Sequence, residues 1–273
     1  MRTFSKHTPL EYAVLYGRFL SLYMRSKMQY KMDTLLTSAA VLIRECVTVV
    51  TLYLMLQKFS VINGWDLGQL LFMYSFVFLS YSLCILVFAG VRDFQGIVHQ
   101  GEFDSYLTKP LNPLFQVISR RSDLMAMLGH GGLGLILFLY AFREAGVEAT
   151  GMNVLKVVLV LIGGILIQGA LLLVPASLTF WLTKSSQVQE VMFYQMRGFI
   201  AYPISIYPKI IQWLLTYLLP FAFVNYYPAH YFVGVGSGGD GLAYLTPVVG
   251  LVLFGLALLL WRTGINRYKS TGN

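Results

Sequence analysis

Charge is scarce in this chain. Of 273 residues only 12% are Asp, Glu, Lys or Arg, against 57% hydrophobic, and that is about half the charged share of a soluble domain. A water-facing surface is hard to build from such a composition, so an all-α integral membrane protein is expected. Cysteine is nearly absent as well. Cys46 and Cys84 both fall inside apolar runs, where a free thiol behaves as a small hydrophobe, and no bridge between them is expected. Motifs of chemistry are missing too. No lysine follows a glycine anywhere, which excludes the Gly-Lys-Ser/Thr phosphate loop. There is no His-Glu-x-x-His pair, and His7, His99, His130 and His230 are scattered, so no metal ligand set is expected. No Gly-x-Ser-x-Gly elbow occurs. One Gly-x-Gly-x-x-Gly match, Gly234, Gly236 and Gly239, follows an apolar region instead of a strand and reads as a flexible loop. The chain is expected to be no enzyme and to bind no cofactor itself.

The net charge of +8 sits mainly in short connectors between apolar runs. That is membrane topology and not a nucleic-acid surface, so no nucleic acid partner is expected. A cleaved signal peptide is also not expected, because Arg18, Arg25 and Lys27 interrupt the N-terminal region before an apolar core forms. Over residues 9–31 Tyr12, Leu15, Tyr16, Phe19, Leu22 and Tyr23 recur at helical spacing beside Glu11, Arg18 and Arg25. This predicts an amphipathic helix lying on the membrane surface.

A spanning helix needs about 20 apolar residues. Four runs before residue 185 satisfy this: Asp33 to Gln57, Leu67 to Gly90, Ser122 to Phe142, and Val154 to Leu182, the last with a kink or interfacial end expected from Pro175. Leu242 to Trp261 closes the chain. Six basic residues precede the first span and three end the tail without an acid, so both termini read as cytoplasmic and the crossings must be even in number. The proline-punctuated region Gln187 to Pro228 holds about 40 residues, roughly twice one crossing. It therefore reads as one outward helix followed by a re-entrant element over residues 208–228, marked by Pro208, Pro220 and Pro228. Six spans and one re-entrant excursion in a single permease-like domain over residues 1–273 is the predicted topology.

Gly129, Gly131, Gly132 and Gly134 around His130, and Gly163, Gly164, Gly169 and Ala170 in the fourth span, predict close helix contacts. His130 then reads as a donor to a neighbouring carbonyl, with a proton relay as the sharper alternative. Arg44 and Glu45 lie midway along the first span, where a charge costs about 2.5 to 3.5 kcal/mol. Adjacent residues point about 100° apart on a helix, so the two are not expected to neutralise each other on one face. Arg197 in the fifth span is the expected mate of Glu45. The other reading, equally open, is a later start to the span that leaves both charges near the inner headgroups.

The connector of residues 91–121 is the longest hydrophilic stretch between spans. Its centre, Gly101-Glu-Phe-Asp104-Ser-Tyr-Leu107-Thr-Lys109-Pro110-Leu-Asn112-Pro113-Leu, placed after a second span, resembles the connector of ATP-binding-cassette (ABC) permeases of the type-2 exporter class. The runs Ala201 to Pro208 and Leu219 to Ala229 are similar to that group's outer region before its last span. The resemblance covers nearly the whole chain. It implies a half-transporter in the cell membrane: a second permease chain, identical or paralogous, and separate ABC ATPase subunits that bind ATP and magnesium. By matching, Gly101, Phe103, Asp104, Leu107, Lys109 and Pro110 would form the ATPase-coupling element, with Phe103 and Leu107 four apart as one apolar ridge for the partner. A loop that merely packs on its own spans is the plainer alternative. A secondary carrier or channel using Arg44, Glu45 and Arg197 is the alternative function, and a non-transporting scaffold a third.

Overall fold

The computed structural model describes residues 8–58, 61–234 and 240–270, so two of the three glycines of the loop motif, Gly236 and Gly239, lie outside the described residues. Helix dominates, and among the described residues there is no strand beyond an isolated bridge between Ile62 and Trp65. The chain opens with α1, Pro9–Lys27, which has Pro9 in its first turn and is capped by Thr8 in a reciprocal pair with Glu11. A 3₁₀ turn, Met28–Tyr30, leads into α2, Lys31–Lys58. Within this near-continuous run the apolar stretch Pro9–Thr51 counts 43 residues, about 65 Å at 1.5 Å per residue and so far longer than one crossing.

Next comes α3, Leu67–Phe88, capped by Asp66, whose carboxylate accepts from the Gln69 amide at 2.9 Å. Three short helices form the connector: α4, Phe94–His99; α5, Glu102–Thr108; and α6, Pro113–Ser119. The long helices α7, Leu124–Glu144, and α8, Gly151–Leu178, follow. Helix α8 runs through Pro175 and ends three residues later, at Leu178 instead of the expected Leu182. From Ser185 to Ala201 the backbone is helical without a break: α9, Ser185–Gln189, a π-helical stretch, Glu190–Gln195, and a 3₁₀ turn, Gly198–Ala201. Then come α10, Lys209–Trp213, a π turn, Leu214–Leu218, α11, Tyr226–Val233, α12, Asp240–Ala243, and α13, Thr246–Arg267.

Among the described residues four helices are long and apolar enough to cross a membrane: the α1–α2 run, α3 with its continuation, α8, and α13. A bent pair, Lys209–Leu218 with Phe221–Val233, meets at 76° and would make a fifth if it were one span. Helix α7, 21 residues long, is not among the four. The bend falls at Leu219–Pro220, where proline removes a donor and stops the preceding turn.

Helix α3 is the buried post, with Phe72, Phe76 and Phe78 fully enclosed. Helix α7 lies along one side of it, with Gly131 against Ser82 and Gly134 against Phe78. Helix α8 lies along the other, and Gly164 approaches Ser80. Helix α13 packs on α8 where Gly163 and Gly250 meet: a Cβ on Gly250 would stand 2.6 Å from the Gly163 oxygen. The expected small-residue packing of the third and fourth spans is therefore present. Helices α2 and α13 hold the two flanks, and Ile43, Val47 and Leu54 on one and Leu251, Leu256 and Leu259 on the other are exposed, as lipid- or partner-facing residues must be.

Gly163→Val would force the α8 and α13 backbones apart, an overpacking cost of about 1–3 kcal/mol. The purified variant should melt several degrees below the parent in a fluorescence thermal ramp, and an unchanged midpoint would refute the close contact.

Candidate functional site

The connector starts where α3 ends. A 3₁₀ turn, Ala89–Asp93, swings the chain into α4, and Gly101, at φ +73°, reverses it into α5. That left-handed conformation suits glycine, which has no Cβ to clash. Asn112 caps α6 by accepting from the Leu114 amide at 2.9 Å, and Pro113 occupies the first helical position.

Phe103 was expected to present an apolar ridge to a partner, and the structure corrects this. Its ring is fully buried, 5.2 Å from Phe94, 5.6 Å from Phe180 and 5.1 Å from Tyr268 between centroids, with Trp261 at 6.3 Å. Phe94 and Trp261 close the cluster at 4.6 Å. An apolar pair four residues apart reads the same whether it points outward or back at the spans, and here Phe103 points back. The plainer alternative therefore describes Phe103. Leu107 is half-buried at the edge of this core. Asp104 accepts a hydrogen bond from the Ser270 hydroxyl at 2.6 Å. Lys109 lies 5.3 Å from the Tyr106 ring centroid and is exposed, as is Pro110.

Around this aromatic box the connector is tied to every neighbour on its side of the protein. Its two stems are crossed by ion pairs, Arg92–Asp123 at 3.2 Å and Arg121–Asp93 at 2.7 Å, and Arg120 meets Glu102 at 2.7 Å. Burial opposes the charge on Arg121, but Asp93 outweighs it and holds the guanidinium above its ordinary pKa. The Gln95 side-chain oxygen Oε1 accepts from the Ser185 hydroxyl at 3.1 Å and from the Ser186 amide, pinning α4 to the start of α9. Tyr16 of α1 donates to the Leu86 carbonyl at 2.7 Å, and Phe115 of α6 meets Tyr12 at 4.8 Å and Phe19 at 6.3 Å. Partly exposed ion pairs contribute about 0–1 kcal/mol each, so the buried rings carry the stability and the charges set the register. Gln95, Phe180, Trp261 and Tyr268 were not anticipated at this site. Aromatic residues at the ends of spans are the signal that could have flagged the last three.

A second polar group runs through the helices. Contrary to expectation, Arg44 turns to its neighbour: Nη2 donates to Glu45 Oε1 at 2.7 Å and Nε at 3.1 Å. The long arginine stem spans the angular offset that the backbone imposes. Glu45 is buried, and His130 Nδ1 lies 3.4 Å from its Oε1. The His130 and Tyr81 rings stand edge-on at 5.1 Å, and Arg197 covers Tyr81 with its guanidinium carbon 3.4 Å from the ring centroid. The expected Arg197–Glu45 pair is thus replaced by a chain Arg44–Glu45–His130–Tyr81–Arg197 that crosses four helical segments. Arg197 is half-buried and makes no ion pair among the described residues, and its cation–π contact with Tyr81, of a kind worth about 0.5–2 kcal/mol, holds it there.

Of the three prolines, Pro208 immediately precedes α10, Pro220 stands at the bend, and Pro228 lies buried in α11. The bend is secured by Asn225, which donates to the Ile200 carbonyl at 2.7 Å, and by Thr246, which donates to the Phe223 carbonyl at 3.0 Å. Tyr226 reaches Trp65 at 5.6 Å, beside the start of α3.

A protein-family model described as "ABC-2 family transporter protein" matches residues 42–272. The chain belongs to the ABC-2 transporter family. No curated protein and no solved structure matches it. An ABC-2 permease is a membrane subunit that does not itself hydrolyse ATP, and the family implies an ABC ATPase partner in general. Family and apolar helices together make this a multi-pass membrane protein.

Phe103→Ala empties the centre of the aromatic box, a cost of about 3–5 kcal/mol, whereas exposed Lys109→Ala should be near neutral. Melting curves of the two purified variants test the assignment, and a Phe103→Ala midpoint equal to the parent's would return that ring to a partner surface.

Proposed function

We propose that the chain is the membrane half of an ATP-driven exporter in the cell membrane, working as one of two permease chains, identical or paralogous, above separate ABC ATPase subunits that bind ATP and magnesium. The observation that carries this reading is the bolting of the connector to α1, α9 and α13 at once. A push on such a piece is delivered to several helices together, because packed interiors transmit displacement instead of absorbing it. The surface left for the ATPase is the exposed turn of Thr108, Lys109 and Pro110 with the edge of Leu107; Gly101 shapes the turn, Phe103 anchors it and Asp104 ties it to the tail. ATPase closure would move both connectors and rearrange α2, α3 and the 185–201 helix at the permease interface.

In this reading α2, α3, α7, α8, the helical stretch 185–201 and α13 make six spans. Helix α1 lies at the inner interface, both termini face the cytoplasm, and residues 208–228 form the re-entrant outer element. The 76° bend at Leu219–Pro220 supports an excursion that returns to its own side. The polar chain from Arg44 to Arg197 lies along the translocation path. It also favours the second reading, a carrier or channel that needs no ATPase and uses Arg44, Glu45 and Arg197 as coupling groups.

Affinity purification of the tagged chain from native membranes should recover an ABC ATPase. Thr108→Trp with Lys109→Glu should cut that recovery at least about tenfold, the effect of losing about 1.4 kcal/mol, with melting unchanged. Recovery of no ATPase, together with solute flux through the chain alone in vesicles, would select the carrier instead. For the re-entrant element, Tyr207→Cys and Gly234→Cys, in a chain whose Cys46 and Cys84 are replaced, should both react with an impermeant maleimide from outside the cell. Labelling from opposite sides would make the bent pair a span and refute the six-span topology.

A further inference from the structure

A cleft of about 980 Å³ opens between the connector and the last turns of α13. Its α13 wall is one stripe, Leu258, Trp261, Arg262 and Ile265, spaced three and four apart so that all share a face. Leu107 and Leu114 make the opposite apolar wall. The volume falls within the roughly 300–1,000 Å³ range of small-molecule sites.

Depth and charge narrow the occupant. Arg262 stands five residues before the helix end at Arg267, about 7 Å along the axis, so with that end at the inner surface, as in the reading above, Leu258 would lie at the level of hydrocarbon and Arg262 at that of headgroups. An ATPase in water does not reach the lower wall, whereas a lipid does. Leu258 and Leu259 are exposed, so the stripe is open to the bilayer. Arg262 is exposed too and forms no ion pair among the described residues. The cleft also carries one acid, Asp104, whose carboxylate accepts from Ser270 and faces the cleft from the connector wall. Arg267 and Lys269 follow on the same tail, and no acid does. Basic pockets beside membrane helices on the cytoplasmic side favour anionic headgroups.

We propose that this cleft holds an anionic phospholipid of the inner leaflet, its acyl chains along Leu258 and its phosphate at Arg262. A lipid seated there meets Leu107 on the opposite wall, so it would brace the connector from the membrane side. The inference rests on the cytoplasmic placement of the α13 end given above and needs no ATPase for its test.

The experiment is native mass spectrometry of the full chain, extracted from vesicles of phosphatidylcholine with and without phosphatidylglycerol. The parent should retain phosphatidylglycerol over phosphatidylcholine about fivefold, the preference expected from one basic side chain near the surface. Arg262→Gln should abolish the preference and Arg262→Lys keep it, while Leu258→Trp, which fills the wall, should lower retention of both lipids. Equal preference in the parent and in Arg262→Gln would overturn the proposal. So would displacement of the lipid by soluble glycerol phosphate, which would make the site one for free phosphate, or by added ABC ATPase, which would give the cleft to that partner. Absence of any ATPase from the purified chain would count against the exporter reading and leave this one standing.

Discussion

The burial of Phe103 among Phe94, Phe180, Trp261 and Tyr268 is the contact on which the connector end of this protein depends. It joins α5 of the connector to the end of α8 and to α13, elements that are far apart in the chain. Remove it and the connector keeps the contacts of Phe94 with Trp261 and of Phe115 with α1, beside partly exposed ion pairs and a few hydrogen bonds each worth about a kcal/mol or less. In the membrane interior, where lipid is as apolar as a leucine side chain, close packing of small residues replaces this drive. The glycine contacts of α7 with α3 and of α8 with α13 serve that purpose. Two kinds of cohesion thus meet where the connector joins the long helices, ring burial on one side and backbone approach on the other.

Much of the helix plan was legible because periodicity and caps are local. The starts of α2, α3, α7 and α8 fall within three residues of the runs read from the sequence, and the Thr8–Glu11 and Asp66–Gln69 caps are visible as residue patterns. Family membership was legible from the connector motif and is shown by the match over residues 42–272. Directions of side chains were not legible. Phe103 and Leu107 share a face in any helix, but only the positions of Trp261 and Tyr268, more than 150 residues later, decide what that face meets. Arg44 and Glu45 failed for a different reason, since backbone angle was used where a long flexible side chain sets the geometry.

The polar chain through α2, α7, α3 and the 185–201 stretch shows how cationic groups are tolerated among apolar helices. One carboxylate, Glu45, faces both Arg44 and His130, while Arg197 is held by the face of Tyr81. Arg44 keeps 62% of its side chain exposed. A guanidinium so exposed on an apolar flank is poorly suited to hydrocarbon, and the same flank is where a second permease chain would lie in the exporter reading.

The aromatic box also bears on biogenesis. Phe103 leaves the ribosome early, yet Tyr268 is 165 residues behind it, an interval of about 10–30 s at usual synthesis rates. Until the last helix is in place, Phe103 lacks Trp261 and Tyr268 to pack against. Completion of the aromatic box therefore coincides with completion of the helix bundle, and a chain truncated before α13 would leave Phe103 without Trp261 and Tyr268.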